Sequence, residues 1–421
     1  MQGKGYLARM KTLICLGGGI EAIPIIQRVR ELGFRAVIVD GDRNAPASHL
    51  GYFIDASCYH ASEAIPVLRA SGIQFDGVMC AAVDAPVACA EVAAAFGLPG
   101  LNVEAARLGQ DKLKQVFALG DVVSHPDKAS AEIVTGEIHI PSWAGIIKPV
   151  DSRGGRGVIR LLPGIDPSWA YEQACAASPT GRVMVEEWRD GPQLSTESII
   201  QDGRVLFTAI GLRNYARLDE FAPYVIEDGF DEPYPDHAWY AGGKHNLDYD
   251  IDSIIESACR ALGWYQSGAG IIKGDLVIHD SRIYVIELAA RLSGGFFASH
   301  GHPLAYGIDF VGAAIKAALG YTLEEPKPYA RVFVSQRYVF PSPEDIGKTV
   351  VSRPNTMDAQ FIVQTPFDVA TWNIKLGDVV KPVTCHPARW GQALATGGTP
   401  DEAQRRAETA VAEMKRGVVL A

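Results

Sequence analysis

The sequence predicts an α/β domain, then an α+β domain, then a smaller β-rich one, and three observations carry that reading. Residues 12 to 100 alternate short apolar runs with amphipathic stretches, as parallel βαβ units require. From residue 102 onward, strands follow one another with short turns between them. After Pro326 β-rich runs return, and the chain closes in a helix. At 421 residues the chain exceeds a single core, since domains span roughly 50 to 250 residues.

In order, TLICLG is the first strand, EAIPIIQRVRELG the first helix, RAVIVDGD and GVMCAA further strands, and a helix runs through Ala90 to Phe96. The opening domain, residues 1–104, is therefore doubly wound. It ends at GLPGLN, residues 97–102, where glycine and proline break the pattern. Asn102 to about Ala118 reads as one helix carrying Asp111 and Lys112. AGIIKPV is a strand, SRGGRGV a glycine-rich loop, 167–177 a helix, RVMVEEW a strand, and STESIIQDG leads into the strand RVLFTAIGL. Residues 207–250, rich in Tyr, Asp and Pro, read as a loop-bearing insert ahead of a helix near 251–262. Beyond Pro326, ARVFVSQRYVF, FIVQT and VKPVTC read as strands of a third domain, 326–421. Thr399-Pro400-Asp401-Glu402 supplies an N-cap, a proline at the first helical position and a Glu at the third, a capping box that opens the last helix.

A net charge of -10 argues against a nucleic-acid surface, which must neutralise phosphates with Lys and Arg. Seven cysteines, at 15, 58, 80, 89, 175, 259 and 385, include no Cys-x-x-Cys pair. That usage fits reduced thiols rather than a disulfide framework or a zinc site. No apolar run approaches the roughly 18 residues of a membrane span, and MQGKGYLARMK lacks a signal-peptide apolar region. The expectation is a cytoplasmic protein that engages neither nucleic acid nor membrane. Residues 1–10 precede the first strand, and Met10 is an alternative start.

The stretch GDLVIH, DSR, IYVIE reads as a hairpin folded at Ser281, which sets Asp275 opposite Glu287 with Cβ atoms about 4.5 to 5.5 Å apart. A turn one residue shorter puts the two acids out of register. Unscreened, they repel; a hard dication shared with nucleotide phosphates turns that cost into a binding site. Arg291 and Ser293-Gly294-Gly295 follow at once. Lys148 ends an apolar strand ahead of Ser152-Arg153-Gly154-Gly155-Arg156-Gly157, where glycines let backbone amides approach phosphate oxygens. Glu186-Glu187-Trp188 ends a strand before Asp190-Gly191-Pro192, a hinge whose free backbone groups can pair with adenine. Gly17-x-Gly19-x-x-Ala22 with Asp40 approximates a dinucleotide fingerprint, so a nicotinamide-dependent oxidoreductase stands as an alternative of another class. Gly347-Lys348-Thr349 is no Walker loop, because Ser342 stands where the leading glycine belongs.

Taken in order, Asp111-Lys112, Lys148 with SRGGRG, VEEW with GPQLSTE, KGD at 273–275 and IELAARLSGG at 286–295 resemble the ATP-grasp superfamily, and more closely its carboxylate-amine, amino-acid ligase branch. The resemblance implies an ATP-grasp domain over 105–325, made of two α+β subdomains, with a mobile lid at about 120–190 and Mg²⁺, or Mn²⁺, bridging the ATP phosphates. It implies phosphate contacts from Lys112 and Lys148, a flap from Ser152 through Gly154 and Gly155, and adenine contacts from the backbones of Glu186 and Trp188. Glu187 or Glu197 would approach the ribose, and Asp275 and Glu287 would bind metal. Arg291 suits the substrate carboxylate or the transferring phosphoryl group, while Arg213, Glu227, Ser293, Gly294 and His300 are candidates for substrate contacts. His302 also borders that region. The sequence departs from the family at Ala289, where many members carry a metal-binding Asn, and at Gln193, where some carry Glu. The implied reaction activates a small carboxylic acid as an acyl phosphate and joins it to an amine. A bicarbonate-using carboxylase and a non-catalytic nucleotide-binding regulator are the alternatives, and a homodimer is compatible with either.

Overall fold

The computed structural model describes residues 9–134, 137–234, 246–327, 332–354 and 369–421. Its first sheet is parallel, with strand order Tyr52–Asp55, Arg35–Asp40, Thr12–Leu16, Gly77–Cys80. Side chains alternate across a strand, so Leu13 and Cys15 pack with helix Ala22–Glu31 on one face. Ile14 and Leu16 pack with helices Ala61–Ala70 and Pro86–Phe96 on the other. The layer is doubly wound, as expected. Strand Tyr52–Asp55 escaped the sequence reading because only Ile54 of its four residues is buried.

The expected single helix after residue 102 is two, Val103–Gln110 and Lys112–Leu119. Asp111 breaks it. Its extended backbone and its carboxylate, accepting from the Leu113 and Lys114 amides, make it the N-cap of the second helix, and Lys112 becomes that helix's first residue.

A four-stranded sheet follows, in the order Lys128–Ser130, Val183–Glu187, Ala144–Pro149, Ile159–Arg160, with helix Pro167–Ala177 packed on it. The largest sheet is antiparallel and has eight strands. Its order is Arg282–Ala289, Ala269–His279, Gln193–Gln201, Arg204–Asn214, Gly229–Glu232, Phe333–Val339, Gly391–Gly397, Val369–Trp372. The last three strands belong to the β-rich C-terminal region, so that region extends the central sheet edge to edge. Of the runs expected as strands there, FIVQT lies outside the described residues. VKPVTC is not a strand: Val380 and Val383 are buried by loop packing, which imitates the apolar alternation of one. Helix Phe310–Ala318 joins the first sheet to the central one through a shared core with Ile199, Phe207 and Ile271. No helix among the described residues is long and apolar enough to cross a membrane.

The metal-motif hairpin reaches its expected pairing by an unexpected route. The turn is one residue shorter than read, with Asp280 and Ser281 both at positive φ (47° and 60°) between the paired His279 and Arg282, as a two-residue type I′ turn requires. That turn alone would place Asp275 opposite Ile286. A bulge between the Leu276–Val285 and Asp275–Glu287 pairs leaves Ile286 as the extra residue and brings the two acids face to face.

Behind the site, His302 is fully buried between two carboxylates, 2.7 Å from Glu232 and 3.4 Å from Glu197. Burial opposes its charge, but the two glutamates prevail and lift its pKa from 6.5 to about 10. Removing the cation strands two buried acids, so His302→Ala is expected to lower the unfolding free energy in urea by roughly 3 to 5 kcal/mol. A raised folded pKa contributes stability that is full below about 6.5 and disappears as pH climbs through about 10; the wild-type midpoint therefore drops across that window, and the variant's curve is flatter.

Candidate active site

The sequence candidates converge on one open cavity of about 840 Å³ between the four-stranded sheet, the eight-stranded sheet and the loops of the first sheet. Its basic wall follows from strand register. Glu186 pairs with Lys128 on one neighbouring strand and Ile146 on the other. Lys148 lies two residues beyond Ile146 and so shares its face. Both ammonium groups reach Glu186, Lys128 at 2.9 Å and Lys148 at 2.8 Å, with all three side chains buried. Burial would raise the Glu186 pKa, but the two lysines hold it below the usual range. The Glu186 side chain is thereby committed to the lysines, and only its backbone faces the hinge. Trp188 fits there because Gly145 lies beneath it; a Cβ at 145 would come within 2.5 Å of the Trp188 Cβ.

Lys112 donates to the Ser152 carbonyl at 2.9 Å and meets Glu287 at 3.1 Å. Burial works against its charge, yet Glu287 and Asp84 raise its pKa. Asp275 is held by Arg213 at 2.8 Å and by Lys273. Burial pushes its pKa up, but these cations bring it down to about 2. The two acids meet across the strands, and their present counter-ions are side-chain cations. They fit a divalent ion that takes its remaining oxygens from phosphate and water; among the described residues no group of three or more His, Cys, Asp or Glu could hold a metal without such help.

The flap glycines Gly154, Gly155 and Gly157 all have positive φ, a conformation that glycine adopts without strain. The glycine loop is docked: the His386 amide donates to the Gly154 carbonyl at 2.9 Å, and the Arg153 guanidinium lies 3.9 Å over the Tyr59 ring. Arg160, on the same layer, donates its amide to the Pro223 carbonyl at 2.8 Å. Three separate regions of the chain therefore contact this layer.

Several candidates sit elsewhere or are already engaged. Glu197 is fully buried, accepts two hydrogen bonds from the Ser293 amide, and is absent from the cavity wall; of the two ribose candidates, only Glu187 lines the cavity, paired with Arg189 at 2.6 Å. Ser293 is buried against Glu197, and His300 bonds Ser299 at 2.9 Å and packs on Phe296, both off the cavity. Burial pushes the His300 pKa down to about 4. Arg291 does line the cavity, but its fork grips Asp84, Nε at 2.9 Å and Nη2 at 3.1 Å, so it cannot offer both prongs to a substrate in this state. Asp40 accepts from the Gly18 amide at 2.7 Å, so the acid of the dinucleotide-like motif closes its own loop. Neither Asp40 nor Gly17 lines the cavity.

The wall also contains Asp84, Glu21, Lys273, Tyr338, His386 and Arg389, none of them sequence candidates. Lys128, another residue the sequence did not offer, is buried behind the wall against Glu186 and the Ile286 carbonyl; it opens a three-residue strand, too short for periodicity to expose. Arg213, paired with Glu227 at 2.8 Å, and Arg389, whose guanidinium lies 3.7 Å over the Tyr338 ring, also line the cavity. Gly294 lines it as well, with Glu21 accepting from the Gly295 amide at 2.8 Å.

Residues 109–295 match the family model for the ATP-grasp domain. A formate-dependent phosphoribosylglycinamide formyltransferase from Rhodococcus jostii is 25% identical over 301 residues, covering 69% of this chain and 71% of that protein. The fold is similar to that of an L-amino acid ligase from Bacillus licheniformis, with TM-score 0.75, 20% identity, and coverage of 98% of this chain and 99% of that one. It is also similar to N5-carboxyaminoimidazole synthetase from Staphylococcus aureus, crystallised with ADP, with TM-score 0.67, 13% identity, and coverage of 95% and 97%.

Lys128 yields a pH test. Burial lowers its pKa, Lys148 adds to that and Glu186 resists, leaving it at about 8. Calorimetry at pH 7 should find that Lys128→Met weakens triphosphate binding, because Glu186 then keeps one cation instead of two and offsets more of the Lys148 charge at the wall. Wild-type affinity should fall as pH rises through about 8, where the ammonium loses its proton, and the variant should lack that inflection.

Proposed function

Because residues 109–295 form an ATP-grasp domain, we propose that the chain is an ATP-dependent ligase that activates a small organic acid, an amino acid by preference, as an acyl phosphate and joins it to an amine. One observation carries this reading: Lys112 and Lys148 converge with the Asp275–Glu287 pair beneath a glycine flap, in one cavity. The likeness to an L-amino acid ligase over nearly the whole chain supports the same choice.

A carboxylate resists nucleophiles because its own charge repels them and its leaving group would be oxide. In the proposed reaction a carboxylate oxygen bonds to the γ-phosphorus as the bond to ADP breaks. The neutral amine then bonds to the acyl carbon, the carbon–oxygen bond to phosphate breaks, and one proton leaves the nitrogen as the amide forms. Such chemistry calls for positioning and charge neutralisation rather than a protein nucleophile. Lys112 and Lys148 bind and orient the phosphates, with Lys128 neutralising Glu186 behind them, while a divalent ion on Asp275 and Glu287 would neutralise the charge that develops on the phosphates. Arg213 and Arg389 also line the cavity, where they would attract a substrate carboxylate. Arg153, Arg160 and His386 hold the lid down, excluding the water that would hydrolyse the acyl phosphate.

Phosphate release is the direct test. With Mg·ATP and a matrix of amino acids and small acids, release should exceed background only when an acid and an amine are both present, and mass spectrometry should find the amide. Release with bicarbonate alone would favour a carboxylase, and no release with any acid would overturn the ligase reading. Glu287→Gln and Lys148→Ala should each abolish turnover while circular dichroism and unfolding stay near wild type; near-normal rates in either would remove the residue from the site.

A further inference from the structure

The counter-charges on the acidic pair are unequal, and the inequality bears on how many metal ions the site takes. Lys273 lies two residues before Asp275 on the strand Ala269–His279, hence on the same face, and its ammonium bonds Asp275 Oδ2. Arg213 holds the other oxygen, Oδ1, at 2.8 Å. Both prongs of Asp275 are thus occupied by protein cations. Glu287 meets Lys112 through Oε1 at 3.1 Å.

The residue directly across the ladder from Lys273 is Ala289. It stands two positions after Glu287, where it shares that residue's face but offers a methyl group instead of an oxygen. An oxygen ligand at 289 would compete with the Lys273 ammonium for one space between the strands. The methyl group leaves that space to the ammonium, which lines the cavity beside Asp275.

Two divalent ions side by side would share bridging carboxylates and need several protein oxygens between them. Here the protein supplies one acid with both oxygens already held and a second acid with one oxygen held.

Resting on the nucleotide reading above, we propose that the Lys273 ammonium replaces one of two divalent ions, so that this site handles its triphosphate with a single metal ion and one fixed lysine charge. Lys273 would then touch the phosphates directly. It keeps its charge in place whether or not metal is present, so part of the phosphate affinity does not depend on metal.

The test counts ions. The full chain is saturated with a non-hydrolysable ATP analogue and titrated with Mn²⁺, and bound ions are read by electron paramagnetic resonance. Wild type should bind one Mn²⁺ per chain, and Lys273→Gln combined with Ala289→Asn should bind two. Lys273→Gln alone should weaken the analogue about tenfold or more, the loss of a charge-assisted contact, and most strongly at low Mn²⁺. Two Mn²⁺ ions of similar affinity on the wild-type chain would overturn the proposal without any variant having to fold, as would unchanged analogue affinity in a folded Lys273→Gln. A wild-type chain that takes up no analogue even with Mn²⁺ would sink the nucleotide reading itself, a result distinct from a count of two.

Discussion

Two carboxylates fixed on one rung of an antiparallel ladder repel each other, and the arrangement of the site follows from offsetting that repulsion. Directly opposed like charges destabilise a strand pair, and burial sharpens the cost by removing water. The chain answers with cations from three places: Lys112 from a helix start, Arg213 from a strand two places along the sheet and Lys273 from the same strand as Asp275. Each must be held where it is by its own local structure. The Asp111 cap aims Lys112, and the ladder of the large sheet fixes Arg213 and Lys273.

The same sheet unites parts of the chain that composition separates. Strands beyond residue 332 join its edge, so Tyr338, Arg389 and Gln392 reach the cavity that Asp275 lines. Arg291 ties this sheet to the first domain through Asp84. The cavity wall is built from distant stretches of the chain.

Order and spacing of motifs made the architecture legible, because helix and strand periodicities survive in a single sequence. Register was legible only in part. Symmetry about Ser281 led to the right pairing of Asp275 with Glu287 through a turn of the wrong length, and the compensating bulge at Ile286 has no sequence signature, since an isoleucine suits a regular strand equally well. Lys128 was hidden for the opposite reason: nothing about a lysine in a short strand announces that it shares an acid with Lys148, twenty residues away. Glu197 is a ribose candidate through the resemblance, and its polar neighbours Ser195 and Ser198 give no sign of burial, yet all three are buried. Polar residues that satisfy one another in the interior read, in one dimension, like residues facing water. His302 and Glu232 are the rest of that concealed network.

The lysine–glutamate–lysine triplet on the four-stranded sheet has a consequence for the field it sets up. Because Glu186 shares one sheet with Lys128 and Lys148, that sheet supplies the counter-charge of its own buried carboxylate. The triplet's surplus is a single positive charge, enough to draw an anionic guest. Such a triplet answers only weakly to the ionic strength around it, since a compact, nearly balanced cluster has little long-range field for salt to screen.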